Sequence, residues 1–171
     1  MQMDAKHKIE RQYYLQIKKR FENGGVLSVM NGLDKKASDY NDIMVIGRKF
    51  AEMGNDVQVL GTIHFKNPYY QKYFEPLMNS AYYRKCPDLK IGEKYYEYEG
   101  FIGSWSKRKL SRMLSHGAIQ SPYLIIKNTK GCSDRYILRS IGDRLNDRNY
   151  HHVIKEVWLY EKGLVRPLFS V

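Results

Sequence analysis

The sequence predicts a single α/β domain with a mixed central β-sheet flanked by helices. Three observations lead there. The chain has 171 residues, close to the size of one ordinary domain. Stretches with helical spacing of apolar residues alternate with short β-rich runs. One of those runs, Tyr123-Leu124-Ile125-Ile126-Lys127, is continuously apolar up to its last residue, as a central strand buried on both faces would be. The domain is expected to span residues 1–171, with its core at about 40–160.

Taken in order, residues 4–23 place Ile9, Tyr13, Leu15, Ile17 and Phe21 among charges, which predicts an amphipathic N-terminal helix ended by Gly24-Gly25. Residues 26–31 read as a strand and 32–40 as a polar loop. A helix capped by Ser38 or Asp39 is expected over 40–53, with Ile43, Ile46, Gly47 and Phe50 along its buried stripe and Gly54-Asn55 as its stop. Residues 56–60 alternate polar and apolar, predicting a half-buried strand. Residues 65–86, rich in Tyr, Pro and Asn, read as a substrate-facing insertion with one short helix.

A hairpin follows, with strands at 89–91 and 95–102 and a turn at Gly92-Glu93. Residues 106–115 predict a basic helix, with Leu110, Met113 and Leu114 on one side, Lys107, Arg108, Lys109 and Arg112 around the rest, and Gly117 closing it. Ser106 reads as its N-cap. Residues 133–146 read as a further helix and 153–160 as a strand; Gly163 then turns the chain into a last edge strand through Val165, Leu168 and Phe169.

Composition narrows the partners. Lys and Arg number 29 against 18 Asp and Glu, a net charge of +11, which favours a polyanion. Nucleic acid is the first expectation, because 15 Tyr, 6 Phe and 2 Trp are interleaved with those charges and suit base stacking. Aromatics also fill α/β cores, and an anionic membrane surface or an acidic protein would satisfy the charge too. Cys86 and Cys132 lie far apart with no His or Cys at ligand spacing, which argues against a zinc site and for a reducing, cytoplasmic setting. No run reaches the roughly 18 apolar residues of a membrane span, and no secretory leader is expected.

The chemistry centres on the hairpin. Pro87-Asp88 precedes its first strand, and Glu97 and Glu99 share one face of its second. Three carboxylates that close repel one another unless a hard cation such as Mg²⁺ or Mn²⁺ sits among them. Phosphodiester cleavage uses such a cation to activate water and steady the leaving oxygen. By spacing alone, the same residues also fit a solvated hairpin face.

The order of motifs, from a helix with Asp42 through Gly54, a strand, Pro87-Asp88, Gly92 and Glu97-x-Glu99 to a basic helix and Gln120 before the apolar strand, resembles the PD-(D/E)XK nuclease superfamily over residues 40–127. More particularly it resembles the compact nuclease domains at the ends of contact-dependent growth-inhibition toxins and in mobile-element proteins. Those pair a phrase like Phe50-Ala51-Glu52-Met53-Gly54-Asn55-Asp56-Val57 with a downstream hairpin. The resemblance implies a restriction-endonuclease-like core and a Mg²⁺- or Mn²⁺-dependent nuclease acting on DNA or tRNA. It implies that Asp88 and Glu97 hold the metal, assisted by Asp42. It further implies that Gln120, in the segment 115–121, positions the attacking water or the scissile phosphate; the basic helix itself suggests that Lys107, Arg108, Lys109 and Arg112 grip the nucleic-acid backbone. An immunity protein or a second copy of the chain stays open as a partner.

One position departs from the family pattern: Glu99 stands where a lysine is expected. Glu99 is then an additional metal ligand, or Lys94, Lys107 or Lys127 reaches in from elsewhere, or the site is degenerate. Two rival readings follow. One is a metal-independent, toxin-type ribonuclease using His64, His116, Arg135 and tyrosines. The other is a basic binding module of a phage or conjugative element without turnover. His116 reads first as a cap compensating the helix dipole, and His151-His152 as a polar loop pair.

Overall fold

The computed structural model describes residues 10–129 and 132–171. Its strands are β1 (Leu15–Arg20), β2 (Val26–Met30), β3 (Asp56–Val59), β4 (Leu89–Ile91), β5 (Lys94–Glu99), β6 (Tyr123–Lys127), β7 (Glu156–Glu161) and β8 (Leu164–Ser170). Its helices are α1 (Tyr40–Glu52), α2 (Pro68–Phe74), α3 (Lys107–Gln120) and α4 (Asp134–Asn146). The eight strands form one mixed sheet in sequential order from β1 to β8. The β2–β3, β5–β6 and β6–β7 pairs are parallel; the other neighbours are antiparallel.

Helices cover both faces because strand side chains alternate. On one face, Ile43, Ile46 and Phe50 of α1 pack on Val57, Val59, Leu89, Tyr98 and Ile125. On the other, Leu110 and Leu114 of α3 and Ile137 and Ile141 of α4 pack on Leu124, Ile126, Val157 and Leu159. β6 therefore sends Ile125 one way and Leu124 and Ile126 the other, all three fully buried, as its apolar run predicts. A third cluster, Tyr70, Tyr73 and Phe74 of α2 with Met30, Leu60 and Tyr95, seats the 65–86 insertion on the body.

Four expectations are corrected. Residues 4–9 of the expected N-terminal helix lie outside the described residues. Of its remainder, Glu10 and Arg11 are helical, but Leu15–Arg20 is a strand paired to β2, with Gly24-Gly25 turning the hairpin rather than ending a helix. Leu15 and Ile17 are two apart, a spacing that fits a strand as well as a helix, and β2 supplies the ladder that decides between them. The end of the 153–160 strand is displaced too: β7 starts only at Glu156, with Val153 half exposed.

Next, neither Ser38 nor Asp39 caps α1: Asp39 occupies the N-cap position without a side-chain bond and with helical dihedrals. Ser106, by contrast, caps α3 through its side chain, which accepts from Lys109 N–H at 3.2 Å. Finally, Gly117 does not close the basic helix, which runs on to Gln120. A Cβ at Gly117 would stand 2.8 Å from Leu124 Cδ2 and 3.0 Å from Glu99 Cγ. The missing side chain lets α3 lie directly against β5 and β6, and that buried packing outweighs the poor helix propensity of glycine.

Candidate active site

The strands β4 and β5 pair antiparallel, with Leu89 opposite Tyr96, so Asp88 and Glu97 come side by side at the mouth of the hairpin. Glu99 follows on the same face of β5. The three carboxylates open into a cleft of about 550 Å³, closed from one side by Ser38, Asp39 and Asp42 at the start of α1 and from the other by Lys109, Arg112, Met113 and His116 of α3. Lys127, at the end of β6, and the loop Gly100-Phe101-Ile102 complete its rim.

Electrostatically the floor of the cleft is strained. Burial pushes the Asp88 carboxyl up to about 7, even though Tyr98 donates its backbone N–H to Asp88 Oδ2 at 2.9 Å. Burial, reinforced by Asp88 and Glu99, pushes Glu97 up to about 10. Its Oε2 is buried and has no hydrogen-bond partner. Burial and then Asp88 raise Glu99 to about 7, with Arg112 opposing. Asp39 adds to the repulsion felt by Asp88 and Glu97. Crowded carboxylates with too few donors are costly in the charged form, which shifts each toward the protonated state.

Asp42 differs from this trio. Its Oδ2 accepts from Tyr98 Oη at 2.6 Å and from Lys127 Nζ at 2.9 Å, both across the end of the sheet from α1. Both charged partners are largely covered, with side-chain exposures of 24% for Lys127 and 22% for Asp42, so the pair is shielded from solvent screening more than a surface ion pair. Among the described residues, no group of three or more His, Cys, Asp or Glu side chains forms a ready-made metal cage. Mg²⁺ does not require one: it keeps several waters and takes one or two carboxylates, with substrate phosphate completing its shell. Asp88 and Glu97, with an oxygen left unpartnered, fit that demand; Asp42, already engaged by two donors, fits it less well.

Of the three lysines considered as substitutes for the missing one, only Lys127 lines the cleft. Lys94 pairs with Glu156, and Lys107 lies over the Tyr136 ring, 5.5 Å from its centroid. Lys109 spends its ammonium on the carbonyls of Ile102 and Ser104, tying down the rim loop. Arg112 and His116 are exposed and line the cleft; Arg108 is exposed but does not line it. Gln120 does not line it either, because it is the last residue of α3, one turn past His116.

Two residues that the sequence reads first as helix caps line the cleft instead. His116 looks terminal if Gly117 stops the helix; with the helix continued, positions 109, 112, 113 and 116 form one face, and it was this spacing that carried the signal. Asp39 was read as a cap, yet it lies three residues before Asp42 and so enters the cleft from the same side. Comparison with protein-family models, with curated proteins and with solved structures gives no match.

Proposed function

We propose that this protein is a nucleic-acid phosphodiesterase of the PD-(D/E)XK type that works with Mg²⁺ or Mn²⁺ in the cleft. The observation that carries this reading is the partly buried trio Asp88, Glu97 and Glu99, with raised pKa values and an orphaned Glu97 oxygen beneath a rim of Arg112, His116 and Lys127. Buried carboxylates left without partners are a cost that a functional cation removes. The element order α1, antiparallel β3–β4–β5, α3 and then β6 parallel to β5 supports the reading, because it is the order the superfamily resemblance implies.

Bound there, the cation would activate water and neutralise charge on the leaving oxygen. Asp88 and Glu97 would hold it, giving up any proton they carry to do so. Glu99 stands beside them under the influence of Arg112. Lys127, oriented by Asp42, supplies the positive charge that the Glu99 position lacks. Arg112 and His116 meet the incoming phosphate from α3, and the net charge of +11 draws the polyanion in.

The test is calorimetric titration of Mn²⁺ into the protein and into an Asp88→Ala, Glu97→Ala variant, followed by plasmid and tRNA cleavage by both. Metal binding and cleavage lost together in the variant are the expected result. Chelator-resistant cleavage would point to the metal-free ribonuclease, and tight nucleic-acid binding with neither metal binding nor cleavage to a degenerate scaffold. Either outcome overturns the proposal.

A further inference from the structure

A second cavity adjoins the cleft and shares two of its residues, Asp39 and Asp88. It is smaller, about 340 Å³, at the low end of the roughly 300–1,000 Å³ span of small-molecule pockets. Its walls are different in kind. Tyr13, Leu33 and Tyr40 give it flat apolar surfaces, and Gln12, Asp34 and Thr62 give it polar edges. Tyr13 is itself braced, its ring stacked on Tyr69 at 5.2 Å between centroids. No Lys, Arg or His lines it among the described residues.

The contrast between the two connected cavities defines a ligand. The first adds Arg112, His116 and Lys127 to its carboxylates and, with a cation bound, would suit a phosphate; the second presents Asp34, Asp39 and Asp88 with no cationic side chain among the described residues, so it disfavours phosphate and admits a neutral, planar group. A nucleotide has that build, an anionic phosphate joined to a neutral base by a sugar. We infer that the cavity between β2, β3 and the start of α1 receives one unpaired nucleobase of the strand whose phosphate lies at Asp88, so that the substrate presents a single-stranded or extruded nucleotide. A base still stacked in a duplex cannot reach into a recess of this size, and unpairing it costs a few kcal/mol that stacking on the tyrosines offsets. Asp34, Gln12 and Thr62 offer acceptors to exocyclic amino groups, which favours adenine, cytosine or guanine over uracil or thymine.

This inference rests on the phosphodiesterase reading, and its test keeps the two apart. In the presence of Mn²⁺, 5′-AMP, 3′-AMP and ribose 5-phosphate are titrated into the protein and into an Ala37→Trp variant. Ala37 is exposed and lines the second cavity, so an indole there fills the cavity with no core residue changed. One AMP isomer should bind at least about tenfold more tightly than ribose 5-phosphate. Ala37→Trp should remove that preference and leave Mn²⁺ and ribose 5-phosphate binding unaltered. A Thr62→Trp variant, at another exposed lining position, serves the same purpose if the first fails to fold. If Mn²⁺ binds but neither AMP isomer outbinds the ribose phosphate, the base pocket is overturned and the nuclease reading stands. If Mn²⁺ itself does not bind, the failure belongs to the nuclease reading, while a preference for AMP would still establish the pocket.

Discussion

Two partly buried glutamates near opposite ends of β5, Glu156 of β7 and Glu97 of β5 itself, behave in opposite ways. At the N-terminal end, Glu156 of β7 accepts from Lys94 Nζ, from Tyr96 Oη at 2.6 Å and from Trp158 Nε1 at 2.6 Å. Burial works against its charge, but those donors prevail and hold its pKa below the ordinary carboxylate value. At the C-terminal end, Glu97 has an oxygen with no partner and two carboxyl neighbours, and its pKa rises to about 10. The fold thus completes the carboxylate on β7 and leaves an oxygen of the one on β5 without a partner. Burial alone does not set the direction of a carboxylate's pKa; the presence or absence of donors does.

Four predictions break or sharpen that contrast. The largest effect is expected at the satisfied end. Glu156→Ala leaves the Tyr96 hydroxyl, the Trp158 indole N–H and Lys94 without their acceptor and should cost about 1–3 kcal/mol in urea unfolding. A loss below about 0.5 kcal/mol would mean that the network is replaceable by water and that the contrast is weaker than drawn.

Gly117→Val comes next, since its Cβ meets Leu124 and Glu99 at 3.0 Å or less. Overpacking that lifts α3 from β5 should cost about 1–3 kcal/mol and at the same time weaken Mn²⁺ binding, read by denaturation and by calorimetry. A destabilised variant that binds Mn²⁺ like the parent would show that α3 does not set the floor of the cleft.

The third prediction has the opposite sign. Asp88, Glu97 and Glu99 all have folded-state pKa values raised above ordinary carboxylates, so the native state holds more protons than the unfolded chain above pH ~4. Their contribution is fully present at low pH and is lost as pH rises, through about 7 for Asp88 and Glu99 and on toward about 10 for Glu97. Without divalent metal, Glu97→Gln should therefore raise Tm by a few degrees at pH 8 and by much less at pH 5, in a thermal scan at both values. Equal Tm shifts at the two pH values would mean that Glu97 is not protonated in the folded protein.

The smallest structural effect is expected for Lys127→Met. The pair with Asp42 is partly covered, and its loss should cost stability no more than about 1 kcal/mol, while cleavage falls at least tenfold with Mn²⁺ affinity unchanged. Unimpaired cleavage would remove Lys127 from the site.

Much of this was legible in the chain. The helix at Tyr40–Glu52, the buried strand Tyr123–Lys127 and the hairpin carrying Asp88, Glu97 and Glu99 follow from periods of 3.6 and 2 and from Gly54 and Gly92 as turns. Those are properties of neighbours in sequence, and a sequence records them directly.

The tertiary structure decided what neighbours in space decide. Leu15–Arg20 became a strand because β2 offered it a ladder, and Gly117 stayed helical because Leu124 and Glu99 crowd against it. Lys127, rather than Lys94 or Lys107, reached the cleft because the end of β6 abuts the start of α1, where Asp42 receives it. The raised pKa values of the trio belong to this same class: spacing along β5 puts Glu97 and Glu99 on one face, but only the covering by α1 and α3 removes the water that would have kept them ordinary carboxylates.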